Sequence, residues 1–215
     1  MKENKSEVTA EEALDRLREG NRRFAAGEGL AAQDCGTERR REVASVQKPF
    51  AIVLGCLDSR VPPEIIFGQG LGDLLVLRVA GNIASQHVVG SVELAAEAFG
   101  TQLVVVLGHS MCAAVWASYE ELRKPSGRPS PELQSILDHI APSVQSAADA
   151  SEPMEADLWM DAAVRSHVIN SVTSLRNDSS VLSECARGSG LRIVGATYDV
   201  ESGLVDFFEP GAEQS

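Results

Sequence analysis

Apolar residues recur at Ala13, Leu14, Leu17 and Phe24 within TAEEALDRLREGNRRFAAG, a spacing that gathers them on one stripe of a helix starting after Thr9. Thr9 and Glu12 stand at the separation of a capping box, in which hydroxyl and carboxylate each accept from the other's backbone N–H. A polar stretch follows over 27–48, and then the pattern changes. FAIVLG (50–55), LLVLRV (74–79) and LVVVLG (103–108) are short apolar runs without alternation, the signature of strands covered on both faces in a parallel sheet. VVGSVELAAEAFG (88–100) carries a helical pattern between the second and third of them. Past a turn-rich break at 125–131, helices are predicted over 131–148, 156–175 and 179–187, the last stopped by Gly188 and Gly190. LRIVGATYDV supplies another strand, on which 203–208 folds back as a hairpin arm through the Glu201-Ser202-Gly203 turn.

Strands alternating with helices predict an α/β fold in three layers: a central, mostly parallel β-sheet flanked by helices, with an antiparallel C-terminal edge strand. One domain is expected, with 1–48 as an N-terminal helical arm and 49–208 as the core. The segment 125–155, rich in Pro, Ser and Ala, is expected to be the variable part.

Composition narrows the function. A chain of 215 residues, 44% hydrophobic, can bury one substantial core. Its apolar runs fall far short of the roughly 18 to 20 residues that cross a bilayer, so no membrane association is expected. The start, 1–8, is polar and mixed in charge, unlike a signal peptide, which predicts a cytoplasmic protein. Nineteen basic against 31 acidic residues give a formal charge of −12, which disfavours nucleic acid and anionic membranes as partners. Four widely spaced cysteines in a reducing compartment do not suggest a disulfide framework, and metal binding or catalysis becomes the question.

Cys56 stands just past AIVLG, and His109 and Cys112 stand just past VVVLG. Ligand sites in open parallel sheets collect beyond the carboxyl ends of strands, so the three can converge on one crevice. A Cys2His set suits zinc, and three protein ligands leave the fourth tetrahedral position to water, as in catalytic sites. Alone, His-x-x-Cys also fits a small buried thiol beside a satisfied core histidine. Asp58 and Arg60 change that balance, because a carboxylate and a guanidinium at the mouth of an apolar strand need partners.

CLDSRVPPEIIF, GDLLVLRVAGN, GSVELAAEAFGTQLVVVLGHSMC and YDVESGLVDF together resemble the β-carbonic anhydrases, in their plant-like branch, from about Gln47 to Phe208. The resemblance implies reversible hydration of carbon dioxide to bicarbonate at one zinc ion per subunit, held by Cys56, His109 and Cys112. It implies that Asp58 and Arg60 form the catalytic pair beside the metal, with Asp58 as a fourth ligand in a closed state if the pair breaks. It places Gln47, Leu75, Ala80, Leu94 and Ala113 around the substrate, although a loop glutamine facing water is the plainer reading of Gln47. Two thiolate ligands imply weaker acidification of water than three imidazoles, hence activity favouring alkaline pH. A homodimer or homotetramer with the pocket near the subunit boundary is also implied.

Leu57, Leu75, Leu94 and Ala113 depart from the residues usual at their positions, which keeps two alternatives open: hydrolysis of carbonyl sulfide or carbon disulfide on the same fold, and a non-catalytic zinc protein. His87, His139 and His167 are expected to be solvated or core histidines, and Cys35 and Cys185 structural or exposed thiols. Gly70-Leu71-Gly72-Asp73 precedes a strand and so lacks the context of a phosphate loop.

Overall fold

The computed structural model describes residues 6–29, 31–124, 129–150 and 156–210. Helix α1 (Ala10–Ala25) opens on the capping box: the Glu12 N–H donates to Thr9 Oγ1 at 3.3 Å, and the Thr9 N–H donates to Glu12 Oε2 at 2.9 Å. The polar stretch after it folds into two short helices, α2 (Ala32–Cys35) and α3 (Thr37–Glu42). Strand β1 (Ala51–Cys56), helix α4 (Pro63–Ile66) and strand β2 (Leu74–Val79) come next. A 3-10 turn at Ala80–Asn82 then leads into α5 (Gln86–Phe99), β3 (Leu103–His109) and α6 (Ala113–Arg123). Three further helices, α7 (Pro131–Ala150), α8 (Ala156–Asn177) and α9 (Ser180–Gly188), precede β4 (Arg192–Tyr198) and β5 (Val205–Phe208). The expected variable segment is thus largely helix α7; the rest of it at 125–128 and 151–155 lies outside the described residues.

The strands form one sheet in the order β2-β1-β3-β4-β5, parallel except for the antiparallel β4–β5 pair, as the apolar runs and the terminal hairpin signal predict. Successive strand residues face opposite layers. Ala51, Val53, Leu103, Val105 and Leu107 pack with Ala13, Leu14 and Leu17 of α1, whereas Ile52, Leu54, Val104 and Val106 pack with Val88 and Val92 of α5 and Val168 and Val172 of α8. Both faces are therefore covered, which accounts for strands without polar alternation. Close approach fixes the seat of α1: a Cβ on Gly20 would stand 1.7 Å from the Phe67 carbonyl oxygen. Asn21, buried beside it, donates to the Gly203 carbonyl at 2.9 Å and accepts the Val205 N–H at 2.9 Å, tying α1 to the start of β5.

A third cluster matters most for function. Cys56, Cys112, Ile83, Val115, Ile140, Val144 and Val164 pack together where α6, α7 and α8 cover the carboxyl ends of β1 and β3.

Candidate metal centre

β1 and β3 are neighbours in parallel register, with Gly55 opposite Leu107, so their last residues, Cys56 and His109, emerge side by side. The chain then turns within three residues. The Ser110 N–H donates to the Tyr198 carbonyl at 2.9 Å, and Ser110 Oγ donates to Asp199 at 3.2 Å, anchoring the turn to the end of β4. Met111 adopts φ 56°, a left-handed conformation uncommon outside glycine, and this reversal delivers Cys112 to the N-cap of α6. Cys56, His109 and Cys112, all buried, bring one sulfur or nitrogen atom each to within 4.8 Å of one another.

The ring of His109 is held in one tautomer. Nδ1 lies 2.9 Å from the Ser110 carbonyl oxygen, and because a carbonyl only accepts, the proton sits on Nδ1. Nε2 is left with its lone pair, buried and without a hydrogen-bond partner. Leaving such an acceptor unsatisfied costs roughly 1–3 kcal/mol, so the site calls for a group that accepts an electron pair. The sulfurs agree. Cys56 is drawn down to about 4, chiefly by the Cys112 thiol beside it, and the N–H groups of Asp58 and Gly81 add to the effect. Cys112 is pushed well above the ordinary thiol range, first by that same contact with Cys56 and then by burial. Two adjacent sulfurs share one proton here; a cation between them would let both ionise. The donor set, its burial and the unpartnered Nε2 fit a zinc ion.

Asp58 and Arg60 lie beside this group. Arg60 Nε and Nη2 donate to the two carboxylate oxygens of Asp58 at 3.0 and 2.8 Å, and the Arg60 N–H adds a third bond at 2.9 Å. The Arg60 side chain, above all, holds the Asp58 carboxyl well below the usual carboxylate range. Nη2 also reaches the Met111 carbonyl at 3.4 Å, so one guanidinium spans the loops after β1 and β3. Asp58 faces Arg60 and lies outside the set formed by the two cysteines and the histidine.

Arg78 was not among the candidates read from the sequence. From β2 it donates through Nε to the Cys56 carbonyl at 2.9 Å and through Nη2 to the Asp58 carbonyl, fixing the turn that carries both. Its signal was present, as a charge inside the apolar run LLVLRV, but the partner becomes visible only with the β1–β2 register.

The expected substrate residues are dispersed. Leu75 is half-buried on β2, packed against the layer formed by α5 and α8, and Ala80 is half-buried in the 3-10 turn. Leu94 is 67% exposed on α5, and Leu57 is 60% exposed. Ala113 is exposed at the first turn of α6, where its backbone needs no positive φ. Gln47 precedes β1, at the opposite end of that strand from Cys56; the strand alone spans roughly 17 Å. His87 and His139 are exposed, whereas His167 is buried.

Residues 51–205 match a family model described as carbonic anhydrase. Carbonic anhydrase 2 of Mycobacterium tuberculosis is 37% identical over 187 residues, 87% of each chain. A β-carbonic anhydrase of Coccomyxa, solved in complex with acetazolamide, superposes with a TM-score of 0.70 at 26% identity, covering 90% of this chain and 85% of that one. A tetrameric β-carbonic anhydrase of the ascomycete Sordaria macrospora shares the fold with a TM-score of 0.72 at 22% identity, over 88% and 93% of the two chains.

Proposed function

The chain belongs to the β-carbonic anhydrases, and we propose that it hydrates carbon dioxide reversibly at a zinc ion held by Cys56, His109 and Cys112. The observation that carries this reading is the buried, unpartnered Nε2 of His109 between two coupled thiols, next to an Asp–Arg pair that a purely structural metal site would not need. Zinc, when bound, supplies the Lewis acidity that makes hydroxide available near neutral pH.

The residues of the chain do the rest. Three donors from Arg60 occupy three of the roughly four lone-pair directions of the Asp58 carboxylate, leaving one to accept a hydrogen bond from the attacking water. Asp58 thereby turns the water's remaining lone pair toward the carbon of the substrate. Arg60 keeps Asp58 ionised and facing away from the metal ligands, which supports an open site rather than one closed by Asp58. Arg78 holds the Cys56-Leu57-Asp58 turn against β2, so ligand and acceptor keep a fixed separation.

Assembly completes the reading. β2 is an edge of the sheet, and its Leu74, Leu75, Val76 and Leu77 are only half-buried within one chain. Exposed Leu57, Leu94 and Met111 add apolar surface that a second copy would cover. A homodimer, or a tetramer of two dimers, follows, with Gln47, Leu75, Ala80, Leu94 and Ala113 lining or flanking the pocket at the boundary. Free thiols at all four cysteines agree with a cytoplasmic protein, and no described helix is long and apolar enough to cross a membrane.

Stopped-flow hydration of carbon dioxide by the zinc-loaded chain, from about pH 7 to 9, tests the assignment, with carbonyl sulfide run in parallel. Hydration that rises toward alkaline pH is expected. A folded, zinc-loaded protein that turns over only carbonyl sulfide, or neither compound, would remove it.

A further inference from the structure

His167 is a buried histidine that the reaction as described does not use. From α8 it places Nε2 2.6 Å from the Gly81 carbonyl oxygen. A carbonyl only accepts, so the proton is on Nε2 and Nδ1 is an acceptor, 3.4 Å from Ser143 Oγ on α7. Ser143 Oγ in turn receives Asn170 Nδ2 at 2.7 Å. The three bonds therefore run in one direction, from Asn170 through Ser143 and His167 to Gly81, and each donor polarises the next. Ser143 and His167 are 0% and 3% exposed, inside a layer whose other members are apolar. Packing alone would be served by a leucine; a polar chain that converges on one backbone carbonyl calls for a reason.

The recipient supplies it. Gly81 comes two residues after Val79, the β2 residue paired with Cys56, and its N–H favours the Cys56 thiolate. Its backbone stands at φ 62° and ψ 24°, a region open to glycine but rarely to other residues. Glycine has no Cβ to restrict it, so the direction of this N–H is set by whatever holds the rest of the residue. A stiffer residue does not fit, because a Cβ at this position would lie 2.7 Å from Ile140 Cδ1.

We propose that His167 is a positioning residue for the metal centre: by holding the Gly81 carbonyl it fixes the N–H that faces the Cys56 sulfur, and so sets how much charge that sulfur lends to a bound metal. The inference rests on the assignment of Cys56, His109 and Cys112 as ligands. A thiolate that accepts a hydrogen bond gives less charge to its metal, which preserves Lewis acidity in a donor set carrying two negative ligands. Asn170 and Ser143 fix the tautomer that lets His167 donate.

The cobalt(II)-substituted full-length protein reports on that sulfur through its sulfur-to-metal charge-transfer band, and chelator competition reports zinc affinity. In His167→Leu the band should shift and zinc should bind about 10- to 100-fold more weakly. His167→Gln, whose amide can donate to the same carbonyl, should recover most of both. Ser143→Ala, a minimal change to the core, should move the band in the same direction by less. A folded His167→Leu with the parental band and zinc affinity would overturn the proposal, as would an unmoved band in Ser143→Ala if the leucine variant fails to fold. If the parent shows no sulfur-to-cobalt band, or keeps it in Cys56→Ala, the ligand assignment fails and the proposal falls with it.

Discussion

At the residue scale, the site separates groups that hold a metal from groups that make it useful. Cys56→Ala or His109→Ala removes one of three donors, and zinc content measured on the purified variants should fall well below one per chain. Asp58→Asn is different. The amide keeps the shape of the side chain but cannot accept as a carboxylate does and loses the charge-assisted bonds from Arg60, so zinc content should hold while turnover drops by about 100-fold or more. Metal content and rate measured on the same sample separate the two classes; full activity in Asp58→Asn would take away its role. The ligands and this pair were legible in the sequence because strand ends in a parallel sheet must meet at one edge. Arg78 was not, since its acceptors are carbonyls, which every residue possesses, and only the register selects those of Cys56 and Asp58.

At the element scale, the structure rests on local signals and on long-range ones, and only the former can be read in advance. The Thr9–Glu12 box is a spacing of three residues, and it forms as expected; Thr9→Ala should lower unfolding free energy by about 1 kcal/mol, measured with urea. Leu17, fully buried against the sheet, should cost about 2–5 kcal/mol as alanine. Helices α2 and α3 have no apolar stripe to announce them. Arg39 of α3 is held by the Leu71 carbonyl at 2.9 Å and by Asp73 at 2.8 Å, across more than thirty residues of chain. Asp73 also accepts the Gly70 N–H, which makes Gly70–Asp73 a structural turn before β2. Helix α8 carries a pH signal. Burial pushes the His167 imidazole below its ordinary 6.5, against the opposing pull of the Gly81 carbonyl, while His139 lowers it and the Cys56 thiolate raises it. Below about pH 6.5 the unfolded chain takes up a proton here that the folded chain resists, so this contribution is intact above that pH and lost as pH falls. The stability advantage of the parent over His167→Gln, compared in urea for the metal-free forms, should therefore shrink from about pH 7.5 to 5.5.

At the scale of the whole molecule, Gln47 poses a geometric problem whose solution is a second chain. It lies at the amino end of β1, whereas Cys56 and His109 lie at the carboxyl ends of β1 and β3. β2 is the outer strand on that side of the sheet, and its half-buried apolar residues want cover. Closed dimers are most often two-fold symmetric, and a two-fold axis beside β2 sets the two sheets antiparallel. The amino ends of one chain then lie alongside the carboxyl ends of the other, and Gln47 approaches its partner's metal ligands rather than its own. Crossing two defects tests this. Gln47→Ala should impair both pockets of its homodimer, and His109→Ala should silence both pockets of its own. In the mixed dimer, the chain that retains His109 receives an intact Gln47 from its partner, so one complete pocket forms. Coexpressed and separated by tags, the mixed dimer should show parental kcat/KM per zinc-loaded site. If Gln47 serves its own chain, that site stays as impaired as in the Gln47→Ala homodimer; if it merely faces water, Gln47→Ala has no defect to rescue.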